Sequence, residues 1–116
     1  MTRYKIVLIP FPFDDLSTSK VRPAVCLTDP IGPHKHVILA FITSKAPDNP
    51  ARTDLIIDAS APDFSMTGLK VTSTIRLHRL MTVTTALILR QLGELSPEMG
   101  SQIKERLATL FDLGNC

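Results

Sequence analysis

An arginine and a threonine stand at the ends of two apolar segments and could act together on an anion. Arg22 precedes Pro23 and the segment "AVCL", and Thr43 with Ser44 ends the segment "HVILAFITS". If these segments form neighbouring antiparallel strands, the start of one lies beside the end of the other, and Arg22 faces Thr43. A guanidinium group binds two phosphate oxygens through its planar fork, and hydroxyl groups add donors beside it. Such a pair would suit a phosphate.

Both residues also have ordinary structural interpretations. Arg22 could form a surface ion pair with Asp14 or Asp15 across the preceding loop, an interaction worth less than about 1 kcal/mol. Thr43 could simply end its strand. Pro23 keeps Arg22 out of the α region, so the chain is extended at this point. From these residues alone both interpretations stay open.

Other kinds of catalytic chemistry have no supporting motif. The sequence contains no glycine-rich phosphate loop, no His-Glu-x-x-His, no paired-cysteine metal spacing and no Gly-x-Ser-x-Gly elbow. Cys26 lies in an apolar strand pattern, which favours a buried structural thiol. His34, His36 and His78 are available as acid–base groups, but lone histidines in turns are usually solvated, which disfavours a direct role without closing it. No metal or cofactor is expected.

Composition predicts one globular domain over residues 1–116. The 116 residues are 44% hydrophobic and 21% charged, which is ordinary for a soluble protein with one core. No apolar run is long enough to span a bilayer, and the N-terminal run meets Pro10 too early for a signal peptide, so we expect a cytoplasmic protein. The net charge of +2 permits an anionic partner. Up to Arg52 there are seven Lys and Arg against four Asp, so an anion site should draw on the first half.

Short strands should position the polar residues. Strands are expected at residues 5–9, 24–28, 37–43, 54–57 and 72–78. Pro10 and Pro12 should end the pairing of the first strand or leave it at an edge, and residues 14–21 should form an exposed loop. The segment after residue 78 fits either strand or helical turn, and we leave it open.

The C-terminal segment carries the signals of a helix. Ser96 is a suitable N-cap, Pro97 fits the first turn, and Gly114 can end the helix in the left-handed conformation. Apolar residues at helical spacing form one stripe, namely Met99, Ile103, Leu107, Leu110 and Phe111. Short strands followed by one helix predict a mainly β fold, a small antiparallel barrel with its function on loops and strand ends.

Four segments follow one another over nearly the whole chain: "YKIVLIPFPFDDLSTSKVRPAVCL", "ILAFITS", "SMTGLKVTSTIRLHRLMTV" and "LGELSPE". Together they resemble the PemK/MazF family of toxins from type II toxin–antitoxin systems. The resemblance implies an SH3-like, CcdB-like barrel with a C-terminal helix that forms a homodimer and cleaves single-stranded RNA without a metal. It also implies a cognate antitoxin whose disordered tail lies over the RNA groove.

The resemblance also assigns roles to individual residues. The arginine of the "RP" motif is Arg22 and the threonine of "ITS" is Thr43, and these form the family's catalytic pair. Further RNA contacts are implied for polar residues of the loop and strands, namely Ser17, Ser19, Lys20, Ser44, Ser73 and Arg76. Relatives carry Gly-Asp where this chain has Tyr4-Lys5, so a charge near the start of the first strand is reversed.

The chemistry implied is attack of a ribose 2′-hydroxyl on its own phosphate with departure of the 5′-oxygen. Arg22 suits stabilisation of the phosphorane charge, but it is a poor general base because a guanidinium stays protonated. Thr43 suits orientation of the phosphate. The sequence leaves the identity of the general base open.

One other class of function remains, a non-cleaving module of the same fold that binds RNA, antitoxin or gyrase. Retention of both "RP" and "ITS" favours the nuclease. A homodimer is expected from the family and from apolar residues without an obvious internal partner, namely Met81, Leu87 and Ile88.

Overall fold

The computed structural model describes residues 2–11 and 20–113, except the side chains of Phe11 and Lys20. Its strands are β1 (Lys5–Phe11), β2 (Lys20–Cys26), β3 (His36–Thr43), β4 (Asp54–Ile57), β5 (Ser73–Thr84) and β6 (Arg90–Glu94). One α-helix, α1, spans Pro97–Leu110, and 3₁₀ turns lie at Ser65–Thr67 and Thr85–Leu87. The strands form one antiparallel sheet in the order β4-β5-β3-β2-β1-β6, curled into a half-barrel. The predicted mainly β fold with a C-terminal helix is confirmed.

The sheet has two buried faces because side chains alternate along each strand. On the face that α1 covers, here called the helix face, Ile42 and Ile75 belong to one cluster with Ile103 of the helix. On the opposite face, here called the second face, Leu39 and Phe41 belong to a separate cluster. Neighbouring residues of β3 therefore serve different cores, and any residue's face follows from its register.

The first two strands extend further than the sequence predicts. Of the two alternatives predicted for Pro10, the end of pairing was wrong, because Pro10 pairs with Val21, whereas a position at an edge is confirmed. The reason is that β6 pairs with β1 only as far as Leu8, and proline is tolerated where a strand has one neighbour. β2 accordingly begins at Lys20 rather than at residue 24. Pro12 lies outside the described residues.

The segment that the sequence left ambiguous continues the fifth strand. β5 runs to Thr84, and its second half pairs with β3 from Leu80 opposite Ala40 to Thr84 opposite His36. β6 follows the 3₁₀ turn and pairs with β1. A single long strand thus crosses the sheet where two shorter elements were considered.

The apolar residues that suggested a dimer behave differently from one another. Met81 and Ile88 pack against the cluster of the second face, so the expectation that they lack internal partners was wrong. The continued pairing of β5 with β3 carries Met81 over this cluster. Leu87 remains 46% exposed.

Helix α1 begins as predicted. The Oγ of Ser96 accepts the backbone N–H of Met99 at 3.2 Å and donates to Asp63 at 2.6 Å. After the helix, Asp112 adopts the left-handed conformation with φ 56°, and the predicted stop, Gly114, lies outside the described residues. No helix in the described part of the chain is long and apolar enough to cross a membrane.

Cys26 is fully buried in β2, as predicted. Burial raises the pKa of its thiol to about 11. The thiol is therefore protonated at neutral pH and unsuited to nucleophilic chemistry.

Candidate functional site

An open pocket of about 390 Å³ lies where the ends of β2 and β3 meet β5. Cationic side chains dominate its lining, namely Arg22, Lys45, Arg76 and Arg79. Among the described lining residues, Asp48 is the one carboxylate. The pocket is therefore suited to an anion, although the whole chain carries a net charge of only +2.

Strand register brings the predicted pair together in this pocket. β2 and β3 pair antiparallel with Ala24 opposite Phe41. If this register continued for two more residues, it would set Arg22 opposite Thr43. Both residues line the pocket. On its other side, Arg22 pairs with Ile9 of β1, so it belongs to a strand with neighbours on both sides.

Thr43 has a structural role that leaves its hydroxyl proton available. It pairs with Thr74 of β5, and its Oγ1 accepts the backbone N–H of Lys45 at 3.1 Å. This bond shapes the turn at the end of β3, which is the structural role. Because the hydroxyl acts there as an acceptor, its own proton stays available for donation to a bound group.

Strand β5 contributes two further arginines to the pocket, Arg76 from the ladder and Arg79 from a bulge. Ala40 pairs with Leu80, whereas the next residue of β3, Phe41, pairs with Arg76. Residues 77–79 therefore bulge out of the ladder, and such bulges redirect side chains. Arg79, at the end of the bulge, lies with its guanidinium carbon 6.0 Å from the centre of the Phe41 ring, a distance that allows a cation–π contact.

A buried carboxylate holds Arg76. The Oδ1 of Asp54 accepts the Nε–H of Arg76 at 2.9 Å, and its Oδ2 accepts the backbone N–H of Ala51 at 2.9 Å. The Asp54 side chain is 3% exposed. Sequence analysis missed this residue, although an aspartate at the first position of the predicted fourth strand was a visible signal.

The loop between β3 and β4 contributes groups that sequence analysis also missed. Lys45, Asp48 and Asn49 line the pocket. The segment "KAPDNPAR" separates the predicted third and fourth strands. Its position immediately after "ITS" was the available signal, because a loop that follows a site residue tends to border the site.

The other predicted contacts are distributed unevenly. Arg76 reaches the pocket, whereas Ser44 is exposed beside Thr43 without lining it. Ser73 is buried and donates to the carbonyl of Val71 at 2.8 Å. Since Thr74 is opposite Thr43, Ser73 points to the helix face, and this geometry does not support its predicted contact.

Three predicted contacts belong to the polar loop before β2. Ser17 and Ser19 lie outside the described residues, and so does the side chain of Lys20. Their contact with RNA stays a prediction.

Two histidines lie far from the pocket. The rings of His34 and His36 are 5.9 Å apart at the start of β3. Thr43 ends the same strand, seven residues further on, which corresponds to about 23 Å of extended chain. Neither histidine can reach a group bound between Arg22 and Thr43.

The reversed charge at Lys5 is compensated locally. Its Nζ lies 2.8 Å from the Glu94 carboxylate, and the two residues are partners in the β1–β6 ladder. Ile9, the partner of Arg22, lies four residues further along β1, or about 13 Å away. Lys5 is therefore not a pocket residue, and its charge does not bear directly on Arg22.

The fold and pocket define a small β protein with a cationic cleft at the ends of adjacent strands. Over residues 2–111 the chain matches the family described as "PemK-like, MazF-like toxin of type II toxin-antitoxin system". The chain belongs to this family, as its motifs predicted. No curated protein sequence matches it at a significant level.

Solved structures of similar fold include relatives from two bacterial genera. The Mycobacterium tuberculosis toxin MazF-mt6 is 23% identical with a TM-score of 0.71, covering 93% of this chain and 96% of that chain. An endoribonuclease in complex with its cognate antitoxin from Mycobacterial species is 16% identical with a TM-score of 0.72, covering 100% and 99%. A MazE–MazF structure from Deinococcus radiodurans is 15% identical with a TM-score of 0.66, covering 100% and 97%. At these identities the similarity shows the fold alone.

Proposed function

We propose that the protein is an endoribonuclease that cleaves single-stranded RNA in the cytoplasm without a metal, as a homodimer restrained by a cognate antitoxin. The observation that carries the proposal is the pocket that Arg22 and Thr43 line together with further cations. Membership of the toxin family supports it. The similar structure of an endoribonuclease bound to its antitoxin supports both the activity and the partner.

The proposed reaction is an internal transfer at one phosphate of the RNA. The ribose 2′-oxygen forms a bond to phosphorus while the bond to the 5′-oxygen breaks. The 2′-hydroxyl loses its proton, and the departing 5′-oxygen gains one. The products are a 2′,3′-cyclic phosphate and a 5′-hydroxyl end.

Arg22 and Thr43 would act on the phosphate that reacts. The Arg22 fork can hold two of its oxygens and stabilise the negative charge that grows as the phosphorane forms. The Thr43 hydroxyl can donate a hydrogen bond and keep the attacking and leaving oxygens in line. Arg22 is paired with β1 and Thr43 with β5, so the backbone that carries each residue would be fixed before the substrate binds.

The remaining pocket residues would contact neighbouring nucleotides. Lys45, Arg76 and Arg79 can bind adjacent phosphates, and Asp48 and Asn49 offer acceptors and donors to base edges. Base edges are open in single strands, whereas pairing occupies them in a duplex. Asp48 and Asn49 would therefore make cleavage depend on the base sequence of the RNA and would favour single-stranded over duplex RNA.

The test is incubation of the purified protein with a mixed-sequence single-stranded RNA in the presence of a chelator. We expect discrete fragments with 2′,3′-cyclic phosphate and 5′-hydroxyl ends, identified by mass spectrometry. Binding of intact RNA without cleavage would instead support a non-cleaving module. Cleavage that requires a divalent metal would contradict the proposed mechanism.

A further inference from the structure

We propose that Asp54 is a positioning residue for the cleavage reaction, acting through Arg76. The carboxylate fixes the guanidinium at Nε, so that its terminal nitrogens are presented to an RNA phosphate beside the reacting one. This inference rests on the proposed function and adds a residue that contacts no substrate.

The register of the sheet makes the contact specific. Asp54 of β4 lies directly opposite Arg76 of β5, and Arg76 lies opposite Phe41 on its other side. The Nε–H of Arg76 donates to Oδ1 of Asp54 at 2.9 Å. A strand residue with partners on both sides has little freedom in its stem, and this bond removes the freedom of its head group.

Asp54 is the more buried member of the pair. Its side chain is 3% exposed against 23% for Arg76, and its second oxygen accepts the backbone N–H of Ala51 at 2.9 Å. His78 approaches Oδ1 only to 3.9 Å, beyond hydrogen-bond distance. The carboxylate is therefore anchored to backbone on one side and orients Arg76 on the other.

By its charge alone, Asp54 would weaken the binding of RNA. A carboxylate beside a cationic pocket repels phosphate, and a buried ion pair often adds little to folding stability. By ordering the Arg76 side chain, however, Asp54 would strengthen phosphate binding. An arginine engaged at Nε keeps its terminal N–H donors for a phosphate and has less conformational entropy to lose when that phosphate binds. The two effects differ in sign, which makes them separable by experiment.

Asp54→Asn is the decisive variant. Asparagine has the same shape, but it offers one oxygen to two donors, Arg76 Nε–H and Ala51 N–H, and it carries no charge. We expect kcat/KM for RNA cleavage to fall about tenfold, since slight misplacement of a substrate group is costly for rate. Asp58→Asn is the matched control, because it removes an exposed carboxylate that directly follows β4 and does not line the pocket. We expect its kcat/KM to equal that of the wild type.

The dependence on Arg76 is tested in a double variant. In an Arg76→Ala background, Asp54→Asn should change kcat/KM by less than about twofold, since residues that act as one unit are not additive. If Asp54 only supported the fold, Asp54→Asn would lower kcat/KM by the same factor in the wild-type protein and in the Arg76→Ala variant. Arg76→Lys keeps the positive charge but not the planar fork, so its kcat/KM should fall as far as that of Asp54→Asn. If Asp54→Asn does not fold, Arg76→Lys provides the measurement in its place.

A spectroscopic readout separates this inference from the activity itself. In the RNA-free protein the Arg76 Nε–H should give a resolved, slowly exchanging ¹⁵N-correlated NMR signal that Asp54→Asn removes. Wild-type cleavage together with an Asp54→Asn variant that is equally or more active would overturn the positioning role and leave the proposed function standing. Absence of wild-type cleavage would overturn the proposed function, and the positioning role with it.

Discussion

At the scale of single residues, Arg22 is notable for its place within a strand. Its partner on one side is Ile9, and the register continued from Ala24 would set Thr43 on the other. An arginine at the tip of a loop would lose more conformational entropy on binding a phosphate than one whose backbone is paired within a strand. The strand setting therefore suits a preorganised phosphate contact.

Lys5 provides a prediction at the same scale. Lys5→Asp, which restores the acid found in relatives, places two carboxylates opposite each other in the β1–β6 ladder, since its partner is Glu94. Like charges in opposite positions repel, so we expect the free energy of unfolding to fall by about 0.5 kcal/mol. The RNA cleavage rate of the folded variant should equal that of the wild type.

Urea denaturation and cleavage assays check both parts of this prediction. Lys5→Ala is the control, because it removes the ion pair without adding repulsion. A slower cleavage rate in folded Lys5→Asp would show that the charge at this position reaches the pocket.

At the scale of elements, two glycines share a backbone conformation but differ in surroundings. Gly32 and Gly68 have φ of 75° and 74°. A Cβ on Gly68 would lie 2.1 Å from the carbonyl oxygen of Leu92 in β6, whereas a Cβ on Gly32 would meet nothing within 4 Å. The 3₁₀ turn before Gly68 is thus packed closely against the edge strand.

This contrast predicts different costs for the same substitution. Gly32→Ala should lower the free energy of unfolding by about 1 kcal/mol, from the left-handed backbone alone. Gly68→Ala should cost about 2–4 kcal/mol, because overpacking adds to the same strain. Chemical denaturation of both variants provides the measurement. Equal costs would mean that the turn moves away from β6 without penalty.

The elements also show how far the sequence could lead. Alternation and turn residues located β3 and β4 closely, and the N-cap of α1 was predictable because it is a local signal. Pro10 misled the prediction of β1, since whether a strand has a second neighbour at a given residue depends on the partner's length. The bulge at residues 77–79 could not be predicted either, because it depends on how β5 pairs with β3.

In the candidate site, likewise, contacts that need only local signals could be predicted, whereas contacts that depend on strand order could not. Arg22 and Thr43 could be paired from sequence, because two strand ends and one assumption about neighbours suffice. The contact of Asp54 with Arg76 joins residues 22 positions apart and depends on which strand lies beside β5. The face of Ser73 likewise depends on register, so its burial could not be inferred from its motif.

At the scale of the whole molecule, charge is concentrated and not large in sum. Four cationic side chains line one pocket in a protein of net charge +2. This local concentration of positive charge attracts a polyanion to the pocket without making the rest of the surface bind polyanions. The mild overall charge is therefore compatible with an RNA substrate.

The proposed homodimer is a second property of the whole molecule. Leu87 and Leu89 are 46% and 57% exposed, and adjacent apolar residues of this size favour association. We expect a dimer mass in sedimentation equilibrium at micromolar concentration. Leu89→Lys should shift the equilibrium toward monomer, whereas the control Lys104→Ala on α1 should not. A wild-type monomer at micromolar concentration would contradict the dimer.

The central claim is that the pocket of Arg22 and Thr43 cleaves RNA, and the most direct measurement is the single-turnover cleavage rate of Arg22→Ala. Loss of one preorganised donor to the transition state typically costs about 10²–10³-fold in rate, and we predict a loss of that size with a folded protein. Lys104→Ala removes one positive charge on the far side of the sheet and should cleave at the wild-type rate. Equal loss in both variants, or full activity in Arg22→Ala, would contradict the account.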